Sequence, residues 1–348
     1  MFATLASNLK SAAVTAVQLQ ITALRSGKMG QGILIDLNDG RPAMEITAGL
    51  RAPAVTGSIN TNGLSTPANS WDFGLSMSPG STAFCLPTKA VHVDAYDVIP
   101  EVYYMNGFQK VNDGVGRITL SNFNGANGRI IDFGGNCFEI LPASPSSSPG
   151  ILVENSTDFL AISSNSRLMS AAWVGGIQVN GAASLPVSGI PFGKWDNPNV
   201  SLESDGSTIW CRDVNYGGID DVGASTYVQL VIFRNEPPTA GPGLTMSNGS
   251  GQIVFSSVRR PFVLGGFIQI NNVYQSINGG FFPLLRCGAT TRVTGGYNNL
   301  RYKGVCMSGG SVRAVPGSVI GNYSTQTGAQ FPFDTNISMA LPFIPNFY

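Results

Sequence analysis

His92 is the sole histidine of the 348-residue chain. A zinc site built on two or three histidines therefore cannot form within one copy. Any serine–histidine–carboxylate triad would have to use it. Its surroundings, KAVHVDAYD, alternate as a strand does, with Val91 and Val93 on one side. Asp94 is not expected to orient the imidazole, and no G-x-S-x-G nucleophile elbow occurs. His92 is read as a structural or surface residue, and no residue is assigned a catalytic role.

Hydrolysis of a glycan needs two carboxylates at a defined separation. Asp94, Asp97, Glu101, Asp132, Glu139, Glu154, Asp158, Asp220 and Asp221 are the acids available for it, and none is paired with another by its spacing. Asp220 and Asp221 sit in YGGIDDVG, which reads as a turn with too few neighbouring oxygens for calcium. The five cysteines, Cys85, Cys137, Cys211, Cys287 and Cys306, are widely spaced and form no C-x-x-C pair. They read as buried free thiols of a protein made in a reducing cytoplasm. There is no phosphate-binding G-x-x-x-x-G-K-[ST] loop. Neither a metal nor a cofactor is expected.

Aromatic side chains offer binding chemistry instead. Trp71, Trp173, Trp195 and Trp210 lie in turn-rich contexts. Trp195, in GKWDNP, is the best candidate for an exposed ring that stacks on a sugar or fills a receptor pocket. The last stretch, QFPFDTNISMALPFIPNFY, carries Phe343, Phe347 and Tyr348 among prolines that resist a central strand. It reads either as an arm laid on a neighbouring subunit or as an edge strand on the chain's own core.

The composition narrows the classes. Twenty basic and 20 acidic residues give a net charge of zero, and only 11% of residues are charged, against roughly 25% in an ordinary soluble domain. Phosphate binding needs clustered Lys and Arg, so a nucleic-acid partner is not expected. Sparse charge gives little colloidal protection and points to a surface covered by partners, as in a homo-oligomer. The 43 glycines and 21 prolines disfavour long helices. No apolar run reaches the ~20 residues that span a bilayer. The first residues have a superficial likeness to a signal peptide, but Lys10, Thr15, Gln18, Gln20 and Thr22 interrupt the apolar stretch, and the segment is read as retained.

The elements follow. Phe2, Leu5, Leu9, Ala12, Ala16, Leu19 and Ala23 keep a three-four spacing that predicts a helix over 1–27. With Phe343, Phe347 and Tyr348, the side chains of Phe2, Leu5, Leu9 and Leu19 are the candidate contacts between subunits or with partners. The remainder predicts strands at 32–37, 91–99, 101–105, 117–123, 129–133, 225–233, 251–257, 265–277 and 290–297, punctuated by N-G, D-G and G-G. The Pro-rich stretches 142–150 and 235–243 read as linkers. The expected chain is mainly β. It has an N-terminal α-helix (1–27), a first β domain (28–143), a middle β region (150–235) and a C-terminal β domain with an aromatic arm (244–348). Two or three small antiparallel sandwich- or barrel-like domains result. Segments 30–46, 127–141, 204–213 and 249–264 share a glycine followed by an apolar strand, a weak repeat whose natural unit is a hairpin.

GQGILIDLNDGRPAMEITAGLRAPAVTG (30–57) and SGQIVFSSVRRPF (250–262) resemble a strand–turn–strand pattern of tailed-bacteriophage tail proteins. The resemblance implies a non-enzymatic virion protein of the tail tip or baseplate, with a trimer as the expected oligomer. Such a protein is made in the host cytoplasm and assembles with other tail proteins. It also implies a contribution to host attachment through a cell-surface glycan or receptor. An independent glycan- or receptor-binding β module is the alternative reading; a glycan depolymerase and a capsid or decoration protein are further ones.

Overall fold

The computed structural model describes residues 51–94, 100–123, 127–141, 168–241, 244–247, 251–325 and 333–348, with the backbone of three short strands before them. These residues are mainly β, in several antiparallel sheets, and no α-helix occurs among them. Gln20–Ala23 lies inside the segment expected to be helical. It is instead a strand, paired antiparallel with Gly32–Asp36, which in turn pairs with Met44–Thr47. Ile21 and Thr22 are β-branched and favour extended backbone. The other residues of 1–27, Phe2, Leu5, Leu9 and Leu19 included, and the 142–150 stretch lie outside the described residues.

Residues 51–141 build two principal sheets. One has four strands, in the order Ser70–Gly74, Val115–Asn122, Glu101–Asn112 and Val91–Asp94. The other has three, with Gly134–Ile140 between Ala54–Asn60 and Thr82–Lys89. Val115–Asn122 shows why the pattern folds this way. Gly116, Ile118, Leu120 and Asn122 are buried, and the residues between them are half-buried, the period of two that a one-sided strand demands. Asn112 closes the D-G turn before it by accepting the Gly114 N–H at 2.8 Å. Arg129–Ile131 does not form a hairpin with Gly134–Ile140, as the repeat suggested; it pairs with Ser65–Pro67.

Residues 170–336 supply a twelve-stranded antiparallel sheet. Its strands come from both sides of 235–243: Asn197–Ser204 lies between Thr208–Asp213 and Tyr297–Ser308. The longest hairpin, Tyr297–Ser308 with Ser311–Ser324, turns on Gly309 and Gly310 at φ 56° and 72°. Positive φ at both central residues is the tight hairpin geometry that glycine adopts without a Cβ clash.

The segment through Phe262 joins these parts. Phe262 N–H donates to Met169 O, and Leu264 N–H donates to Arg51 O at 2.8 Å each. The Phe262 ring lies 5.5, 5.4 and 5.1 Å from those of Phe138, Phe192 and Phe233. The C-terminal aromatics complete this core. Ala340–Phe343 pairs with Gly266–Gln269, and Phe343, Phe347 and Tyr348 are 7%, 8% and 7% exposed. The edge strand on the chain's own core is therefore the arrangement found. Within the chain Tyr348 packs on Phe233 and Phe281, Phe347 lies under Arg260, and Phe343 lies beside Gly265 and Gly266.

Tyr348 has a polar role too. Its hydroxyl donates to Pro261 O at 2.6 Å and accepts the Val263 N–H at 3.1 Å, and burial pushes the phenol well above its usual range. Tyr348→Phe leaves both backbone groups unsatisfied. It should cost about 1–3 kcal/mol in a urea titration, with near-native packing. A change below a few tenths of a kcal/mol would show that water replaces the hydroxyl.

Candidate functional site

The acids nominated from sequence are dispersed and occupied. Asp94 lies 3.9 Å from Arg129, and Asp221 makes two 2.7 Å bonds to Arg212. Asp220 accepts from Tyr216 at 2.8 Å, Glu139 accepts from the Ser78 N–H at 2.6 Å, and Glu101 accepts from Tyr103. Asp97, Glu154 and Asp158 lie outside the described residues. The five cysteines are free and buried. Burial pushes the Cys85 thiol up, with Cys137 directly opposite it across the sheet. Among the described residues no three His, Cys, Asp or Glu side chains gather in a metal-binding group. No helix there is long and apolar enough to cross a membrane.

His92 does meet a carboxylate, though a distant one in sequence. Its Nδ1 is 3.7 Å from Asp132 Oδ2, and Lys89 holds the other oxygen at 2.9 Å. Asp132 has φ 40°, a left-handed backbone uncommon for a side chain with a Cβ. The buried Thr61 holds that kink. Its hydroxyl accepts the Phe133 N–H at 2.7 Å, and its own N–H donates to Phe133 O at 3.0 Å. Asp132 and Lys89 line a cleft of about 720 Å³ with Asp205, Arg234 and Glu236. Four of these five charges are engaged in two pairs, Lys89 with Asp132 and Arg234 with Glu236. Arg234 lies 3.1 Å from Glu236. Burial raises the Asp205 carboxyl, but bonds from Ser207 and Thr208 outweigh it and hold the group below its ordinary value. The cleft is an ion-paired seam between the two halves of the fold.

A second concavity has different chemistry. Ser225–Arg234 pairs antiparallel with Ser170–Asn180, placing Asn180 opposite Ser225, Gln178 opposite Tyr227 and Gly176 opposite Gln229. All six are exposed on one face, while Thr226, Val228 and Leu230 are buried on the other. Tyr227 is 59% exposed, second only to Val273 among the large hydrophobic side chains of the described residues. Its ring crosses diagonally to Gly176, where an added Cβ would lie 1.7 Å from the hydroxyl oxygen. The missing side chain leaves room for the hydroxyl end of the ring over the Gly176 backbone. Gly175 does the same for Trp173, whose ring would meet a Cβ there at 2.8 Å. Tyr227 also borders a groove of about 680 Å³, with Gln229, Lys194, Asp196, Asn278 and Trp195 among its walls.

Trp195 corrects the sequence reading. It is 5% exposed rather than a free ring in a loop. It directly follows the Ile190–Lys194 strand, and its backbone N–H donates to Met307 Sδ at 3.4 Å. It lines the groove without projecting from it. The outward aromatic is Tyr227, which sequence reading did not single out. The available signal was the alternation in STYVQL, which places Ser225, Tyr227 and Gln229 on one face.

An exposed aromatic ring beside neutral amides can stack on the apolar face of a sugar while the amides bond its hydroxyls. No curated protein and no solved structure matches the chain. Residues 32–325 match the model of a family of unknown function (DUF6453), and the chain belongs to that family.

Proposed function

We propose that the chain is a structural β protein of a bacteriophage tail tip or baseplate that contributes to host attachment by holding a surface glycan on its Tyr227 face. The observation that carries the glycan reading is the Tyr227 ring, 59% exposed and resting on Gly176 at the rim of a polar groove. A large ring left in water on a rigid sheet presents apolar area at little entropic cost, and only a partner makes use of it. The tail setting is supported by the resemblance of 30–57 and 250–262 to tail proteins and by the sparse charge. In this reading the sheets act as sandwich-like modules of a homotrimer held among other tail proteins. The protein is a binding protein of the virion, not an enzyme. A free-standing glycan-binding module would use the same face.

Tyr227→Ala tests the carrying observation. Binding to a glycan array should fall about tenfold or more, while the melting temperature stays within a degree or two because the ring is not part of the core. Undiminished binding would remove Tyr227 as the contact.

A further inference from the structure

The two strands that carry Tyr227 extend the site beyond one ring. Ser225, Tyr227 and Gln229 recur at every second residue of one strand, opposite Asn180, Gln178 and Gly176 of the next. From Ser225 to Gln229 the strand advances about 13 Å at its ordinary rise per residue, more than one sugar ring covers. Beyond Tyr227 the polar groups are already linked. Gln178 Nε2 donates to Ser225 Oγ at 2.7 Å, and Ser225 Oγ donates to Asn180 Oδ1 at 2.5 Å. An amide–hydroxyl chain fixed in this way offers its remaining donors and acceptors in set directions.

No charged side chain stands in this row. The groove at its other end carries one charge of each sign. Lys194 donates to Asn346 at 2.7 Å, and Asp196 accepts the Gly309 N–H at 3.0 Å. An acidic polymer is held by clustered or forked cations, and the described residues of this groove present a single cation and a single carboxylate.

We infer that the ligand is a neutral, linear oligosaccharide lying along Ser225–Gln229, with one sugar stacked on Tyr227 and its neighbours bonded by Gln178, Ser225 and Asn180. This inference rests on the glycan reading above. It defines an extended site in which affinity grows with the length of the glycan.

The test uses the full chain and an array of neutral linear glucans, galactans and mannans from disaccharide to hexasaccharide, with oligogalacturonides as the acidic series. The neutral ligand that binds should gain about tenfold in affinity from disaccharide to hexasaccharide. The variant Gln178→Ala/Ser225→Ala should lose that gain, binding the hexasaccharide about tenfold more weakly than the wild type, and keep its melting temperature. A gain that survives the double substitution overturns the extended site and leaves Tyr227 stacking intact. So does tighter, salt-sensitive binding of the acidic series, which Lys194→Gln would then weaken. Absence of binding to every member of the array overturns the glycan reading itself.

Discussion

Phe262→Ala should lower the unfolding free energy by about 3–5 kcal/mol, the range for truncating a fully buried aromatic side chain. The ring is 1% exposed and touches Phe138 on the small sheet and Phe192 and Phe233 on the large one. The cavity would open where two sheets meet, and close packing leaves neighbouring rings little freedom to collapse into it. Phe262→Leu fills much of the space and should cost clearly less. Urea denaturation of the two variants checks both values. Equal and small losses would mean that the sheets do not depend on this ring for their contact.

Asp334→Ala should cost about 3 kcal/mol, the lower end for removing one partner of a buried ion pair. Lys303 is 1% exposed in the middle of a long strand, and its ammonium donates to Asp334 at 2.6 Å and to Asn272 at 2.5 Å. Without Asp334, the cation keeps one neutral acceptor and a path to water along the half-exposed side that the carboxylate occupied. That path sets the expectation at the low end. Lys303→Met combined with Asp334→Ala removes charge and partner together and should recover most of the loss, since apolar replacement of buried pairs is often neutral. Thermal unfolding of the single and double variants is the measurement. A double variant no better than Asp334→Ala would show that the lysine stem, not its charge, is what the core needs.

These buried charges also explain what was legible in the sequence. The alternation of 117–123 and the D-G turn before it predicted a strand that the structure extends to Val115–Asn122, because one face meets a core and the other does not. The Tyr297–Ser308 strand carries Asn298, Asn299, Arg301 and Lys303, all 2% exposed or less. Such residues normally mark a solvated face, so no periodicity announced the longest hairpin of the fold. Arg301 is accommodated by the carbonyls of Gly218, Asp220 and Gly317, partners up to eighty-three positions away. Glu203 is similarly hidden: burial pushes its carboxyl up, opposed by Arg286 at 3.7 Å.

The site was half legible. The 225–233 run was readable as a strand, and its solvent face follows from the alternation. What gives Tyr227 its posture is Gly176, a residue whose neighbours, VGG, read as a turn beside Trp173 but lie within the Ser170–Asn180 strand. Only the register of two strands brings the glycine under the ring. Trp195 failed for the converse reason: flanking glycine, lysine and aspartate suggested exposure, while the fold buries the residue and Met307, more than a hundred positions later, accepts its backbone N–H.

The Leu264-to-Arg51 hydrogen bond sets a schedule for synthesis. Arg51 receives its partner from a residue translated more than two hundred positions later, on the order of 10–40 s at ordinary elongation rates of about 5–20 residues per second. Until then the edge beside Arg51 and the ring of Phe138 wait on the emerging chain without the Phe262 segment. With only 11% of its residues charged, the chain leaves that nascent surface with little colloidal protection until the Phe262 segment arrives.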